Sequence, residues 1–183
     1  MPRALHPSSP ADELTDRRKW TGATLADGLI TEELAEFCQT GVSIVLGSQA
    51  RSGRPLVARG LACRIDTDGT MRIVLREPSN AGLISAVTSG AAIAATFTKP
   101  ETHRSIQFKA SHASLLPITQ EDGPATVTQT ARFSAELMDV GYTKELALHY
   151  CAYEPFELCA IEFMPETAYV QTPGPSAGSA LLP

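Results

Sequence analysis

The feature that most constrains the fold is a run of short β-rich segments between residues 42 and 116, punctuated by glycine-containing turns. "VSIVLGS" (42–48) leads through "QARSGRP" into "LVARGLACRI" (56–65), and "DTDGT" then leads into "MRIVLR" (71–76). β-Branched residues suit half-buried strands, while Gly, Asp and Ser supply the turns, so two adjacent hairpins are expected. "AAIAATFT" (91–98) and "SIQFKASHASLL" (105–116) add two strands, and "LCAIEFMPETAYVQT" (158–172) adds a last one. Antiparallel strands joined this tightly, with few helices, predict a small closed or half-closed barrel.

Four helices are expected around these strands. In "ITEELAEFCQTG", Thr31 suits the N-cap, Glu32 and Glu33 the positive end of the dipole, and Gly41 the stop. "EPSNAGLISAVTSG" reads as a short helix capped by Ser79, burying Leu83, Ile84 and Val87 and closed by Gly90. Two more are expected at about 121–139 and at "TKELALHYCA". Residues 1–28 read as an irregular arm interrupted by Pro2, Pro7 and Pro10, residues 29–172 as the domain, and 173–183 as an irregular tail. Within the arm, "DRRKW" ends in the only tryptophan; it suits either docking on a neighbouring subunit or an unstructured tail.

Charge and cysteine usage narrow the function classes. The net charge is −5, 19% of residues are charged, and no basic block stands out, so nucleic acid is not an expected partner. Cys38, Cys63, Cys151 and Cys159 are scattered without a C-x-x-C pair and read as reduced core thiols of a cytoplasmic protein. His6, His103, His112 and His149 show no ligand spacing, which makes a metal site assembled from distant residues the weaker alternative. No apolar run approaches the ~20 residues of a bilayer span, and the N-terminus lacks the apolar core of a signal peptide. No G-x-G-x-x-G, P-loop, H-E-x-x-H or G-x-S-x-G is present, and no catalytic residue can be nominated.

Three polar features lie on or beside the strands. Arg59 and Arg64 are five residues apart in "ARGLACRI". A regular strand sends them to opposite faces, so they are either two surface arginines or, given a bulge, neighbours at one ligand. Arg76 precedes Ser79 and Asn80 at a helix start, whose free N–H groups suit a phosphate; plain capping by Ser79 explains the same residues. Beside Arg104, the residues Ser105, Gln107 and Lys109 alternate with Ile106, Phe108 and Ala110. Their polar side faces either water or a ligand, and Gln107 offers both a donor and an acceptor, as a flavin pyrimidine edge requires.

The ordered set "PLVARGLACRIDTDGTMRIVLREPSNAGL…GAAIAATFTKPETHRSIQFKA" is similar to the FMN-binding split-barrel family that includes pyridoxamine 5′-phosphate oxidase, over roughly residues 30–118. In that family an R-x-x-x-x-K segment on the second strand meets the flavin phosphate; Arg59 and Arg64 fit the spacing, with Arg in place of Lys. Ser79 matches the family's serine, with Asn80 and Ala81 where basic residues stand and Arg76 close by. The family's next strand begins Arg-Gln; here Arg104-Ser105 stand there, with Gln107 two residues on.

The resemblance implies a mainly β fold with peripheral helices, a six-stranded antiparallel split β-barrel. It further implies a homodimer with FMN in a groove between subunits, and an oxidoreductase acting on a small molecule. Arg59, Arg64, Arg76, Ser79 and Asn80 would then lie toward the phosphate, and Arg104, Ser105 and Gln107 toward the ring. The substrate-phosphate residues of the vitamin oxidase are not recognisable, so that reaction is not expected. Two other readings stay open. One is a split barrel that binds flavin or haem without turnover, with His103, His112 or His149 as an axial ligand; the other is a barrel that has lost its cofactor and serves as an interaction protein.

Overall fold

Alternation along the chain decides which side of each strand is buried. In the computed structural model, which describes residues 24–181, nine strands form one antiparallel sheet. They are β1 (Ser43–Gln49), β2 (Pro55–Ile65), β3 (Met71–Arg76), β4 (Ile93–Thr98), β5 (Ser105–Ala110), β6 (Ser114–Leu116), β7 (Leu158–Phe163), β8 (Thr167–Val170) and β9 (Ala180–Leu181). Their order across the sheet is β6-β7-β3-β2-β1-β4-β5-β8-β9. Four α-helices accompany them: α1 (Glu32–Cys38), α2 (Glu77–Thr88), α3 (Asp122–Asp139) and α4 (Lys144–Cys151).

One face of this sheet carries the core. Ile44 pairs with Phe97, Phe97 with Ile106, Phe108 with Ala168 and Ile73 with Ile161, all in a single cluster of buried apolar side chains. Phe97 and Phe108 meet edge to face at 5.9 Å, a favoured aromatic geometry. Laid flat, nine strands would span roughly 40 Å. The cluster draws on β7 near one end and β8 near the other, so the sheet bends around it. Leu34 and Phe37 of α1 and Leu83, Ile84 and Val87 of α2 fill the concave side.

The expected mainly β fold with peripheral helices is therefore present, with two differences from a six-stranded barrel. The sheet has nine strands, and its pairing runs from β6 to β9 without closing. The extra strands come from breaks that alternation alone does not mark. The expected strand 105–116 stops at Ala110, and Ser114–Leu116 crosses to pair with β7. The expected strand 158–172 is interrupted by Met164, Pro165 and Glu166, as a proline lacking a ladder donor requires. Ala180–Leu181, within the expected irregular tail, pairs with β8. The arm's Trp20 and its basic neighbours lie outside the described residues.

α3 and α4 lie against the convex side, where β2 outruns β1. β1 pairs with β2 only as far as Gly60, leaving residues 61–65 with β3 alone. There Gln129 of α3 accepts from the Cys63 N–H at 2.8 Å and donates to the Cys63 carbonyl at 2.7 Å. Gln39, just after α1, accepts from the Ile65 N–H at 3.2 Å. The face that α3 buries is accordingly polar: Asp122, Thr126, Gln129, Thr130 and Ser134 point inward, while Val127 is 60% exposed. Among the described residues no helix is long and apolar enough to cross a membrane.

Candidate functional site

Gly60 pairs with Leu75 and Ala62 with Val74, so Leu61 is an extra residue in β2. A bulge of this kind shifts the side-chain parity by one. Ala58 and Cys63 therefore face the core, whereas Arg59 and Arg64 both stand on the convex face. Gly60 sits at this crowded point: a Cβ there would lie 2.7 Å from Ile44 Cγ2 and 2.9 Å from Ile73 Cγ2.

The register then builds a row across the convex face. Arg59 pairs with Val45, Val45 with Thr96, Thr96 with Gln107, and Gln107 with Tyr169. Gln107 Nε2 donates to Thr96 Oγ1 at 3.0 Å. Lys109, one pleat along, holds its ammonium 4.6 Å from the Tyr169 ring centroid, a cation–π distance. Thr96, Tyr169 and Val45 were not singled out from the sequence, although their parity on β4, β8 and β1 places them on this face.

At one end of the row, four of the expected residues converge. The Arg59 backbone N–H donates to Asn80 Oδ1 at 3.4 Å, and Asn80 Nδ2 donates to the Arg76 carbonyl at 2.7 Å and to Ser79 Oγ at 3.4 Å. The N-cap of α2 is Arg76, not Ser79, and it makes no side-chain cap bond. Pro78 explains the displacement, because proline favours the first helical turn and draws the cap upstream. Arg76 Nε donates to Glu157 Oε2 at 2.8 Å. Arg59 is drawn to the end of α4: its Nη1 donates to the Tyr150 carbonyl, and its guanidinium lies 4.2 Å from the Tyr150 ring centroid. A cation at a helix C-terminus is favourably placed against the dipole.

The other four separate. Arg64 Nη1 donates to Asp122 Oδ1 at 3.1 Å and to Thr119 Oγ1 at 3.3 Å. The same carboxylate accepts from Arg72 Nε and Nη2 at 3.0 and 2.8 Å. Asp122 is fully buried; burial alone would raise its carboxyl, but Arg72, the Thr119 N–H and Arg64 outweigh that and hold it at about 2. Arg104 shares parity with Ile106, so it turns to the core side, ion-pairs with Glu33 at 3.3 Å and stacks 5.1 Å from the Phe37 ring. Ser105 is buried, its hydroxyl against Thr98 and its N–H donating to Thr172 Oγ1 at 3.0 Å. Only Gln107 of this group reaches the exposed row. The four cysteines are buried free thiols, and burial pushes Cys159 up to about 11.

No protein-family model and no curated protein matches the chain. Solved structures similar to it include a pyridoxamine 5′-phosphate oxidase-related, FMN binding protein from Nostoc punctiforme, at 12% identity over 88% of this chain and 83% of that one, with a TM-score of 0.40. An F420 reductase is similar at 13% identity over 73% and 93%, with a TM-score of 0.47. HupZ from Group A Streptococcus is similar at 13% identity over 81% and 99%, with a TM-score of 0.49.

Proposed function

We propose that the chain is an FMN-dependent oxidoreductase of the split-barrel class, working as a homodimer in the cytoplasm on a small-molecule substrate. The observation that carries this reading is the convex-face row itself: at one end the Arg59 backbone N–H meets Asn80, which bonds Ser79, and toward the other Gln107 bonds Thr96. From β2 to β5 is three strand spacings, about 14 Å, comparable to a flavin mononucleotide from pyrimidine edge to phosphate.

The residues present fit such a group. Arg59, Ser79, Asn80 and the first N–H groups of α2 would hold the phosphate, with Arg76 adding charge when its pair with Glu157 opens. The amide of Gln107 and the hydroxyl of Thr96 would meet the ring edge. Arg64 and Arg104 support the scaffold through Asp122 and Glu33, and Ser105 through Thr98. When bound, the flavin supplies hydride or electron transfer, and the protein supplies position and electrostatics. Val57, 71% exposed, and Val45 give the same face an apolar surface for a second subunit. Four buried free thiols suit a reducing compartment.

The test is an absorption spectrum after adding FMN and removing the excess. The expected result is a yellow two-band spectrum at about one flavin per chain. Arg59→Ala removes a charge-assisted contact and should weaken retention about tenfold or more; Gln107→Ala should shift the flavin bands. A colourless protein would sink the reading, and a Soret band with added haem would replace it with a cofactor-binding role.

A further inference from the structure

Both arginines at the phosphate end of the row are already engaged, and by one short stretch of chain. Arg59 Nη1 donates to the Tyr150 carbonyl at the end of α4, and its guanidinium lies 4.2 Å from the Tyr150 ring centroid. Further along the same stretch, Glu157 Oε2 accepts from Arg76 Nε at 2.8 Å. A guanidinium recognises carboxylate and phosphate with the same fork of N–H donors, so these acceptors stand where a phosphate would compete.

The stretch that supplies them is lightly held. In α4 the buried residues are Ala147 and Cys151, while Leu146 and Leu148 are about half exposed. None of residues 152–157 is buried, and Phe156 is 84% exposed. Residues 152–154 have no regular structure, and Pro155–Glu157 form a single 3-10 turn before β7 begins at Leu158. The Tyr150 ring rests between the Arg59 guanidinium and the Phe133 ring of α3, the latter 6.0 Å away. A segment with so few buried contacts belongs to the part of a fold that opens most readily.

We propose that Tyr150–Glu157 is an autoinhibitory strap across the phosphate end of the cofactor site, an inference that rests on the flavin reading. With the strap in place both guanidinia are occupied, and Glu157 sets a negative charge beside the seat of a phosphate that brings up to two more. The phosphate binds when the strap releases. Its apparent affinity therefore falls by the fraction of molecules in which the arginines are open. A flavin that lacks the phosphate makes no call on those arginines and is indifferent to the strap.

Titration of the full chain with FMN and with riboflavin, which has the same ring and ribityl chain but no phosphate, tests this. Glu157→Gln keeps the shape of the side chain and removes its charge. It should tighten FMN about fivefold or more and leave riboflavin unchanged. Tyr150→Ala takes the ring from Arg59 and should tighten FMN about twofold to fivefold, again without effect on riboflavin. Neither residue is buried, so both folds should persist by circular dichroism. FMN held by Glu157→Gln but not by the wild type would be the same result in its strongest form. FMN bound no more tightly by either variant, or a gain shared by riboflavin, would overturn the strap and leave the flavin reading standing. If none of the three proteins binds either flavin, the flavin reading falls and the strap with it.

Discussion

Asp122→Asn is expected to be the most destabilising single substitution on the convex side. Asp122 is fully buried and bonded to Arg72, Arg64 and the Thr119 N–H. Removing its charge leaves Arg72, itself 4% exposed, with the more distant Glu162 at 3.4 Å as its remaining carboxylate and the Pro117 carbonyl as a neutral acceptor. Breaking a buried pair from one side costs about 3–5 kcal/mol. For a chain of this size that lowers the melting temperature by about 10 °C. The same group sets an acid limb. Its carboxyl lies below its ordinary value of 3.8, at about 2. The contribution is therefore complete above pH ~4 and is lost as pH falls through ~2, in total on the order of 2–3 kcal/mol. Denaturant melts of wild type and Asp122→Asn between neutral and strongly acidic pH should converge. Parallel loss in the two proteins would assign the acid limb to other carboxylates.

Gly41→Ala is expected to come close to this effect by a steric route. A Cβ at Gly41 would lie 2.5 Å from the Arg132 carbonyl carbon and 2.7 Å from the Phe133 nitrogen, both backbone atoms of α3. Backbone cannot swing aside as a long side chain can, so the helix must lift from the sheet and carry Gln129 with it. The cost should reach the upper end of the overpacking range, about 3 kcal/mol. Gly47→Ala is the matched comparison, since a Cβ there meets nothing within 4 Å. It should leave stability unchanged or raise it by about 0.5 kcal/mol. Equal melting temperatures for the two variants would mean that α3 is not seated as tightly as the Gly41 contact requires.

How much of this could be read beforehand depended on whether the signal was local. β5 announces itself because apolar and polar residues alternate without interruption, β3 and β4 because short β-rich runs are bounded by glycine-containing turns, and Thr31 caps α1 as expected, accepting from the Leu34 N–H at 3.2 Å. The parity of Arg104 with Ile106 was equally legible and already places it behind the sheet from Gln107. Pro78 carried the signal that moves the α2 cap to Arg76, and Pro165 the one that divides the last strand. The bulge at Leu61 had no such mark, since "RGLACR" reads as a plain strand until β3 is beside it. The inverted polarity of α3 was hidden for a different reason. Apolar periodicity finds the inward face only when the surface underneath is apolar, and here it is the backbone of β2 and the guanidinium of Arg72.

The two glutamines along β2 have a consequence for how chains meet in a crowded cell. Strand residues 61–65 lie past the end of β1 and would otherwise offer a bare row of amides and carbonyls, the template on which edge-to-edge aggregation begins. Gln129 takes both backbone groups of Cys63, and Gln39 takes the N–H of Ile65. Neither side chain continues a ladder, because an amide bonded on one side presents no second row to an incoming strand. The overhang is sealed against recruitment of another extended chain, and each of the two seals ends at its own residue.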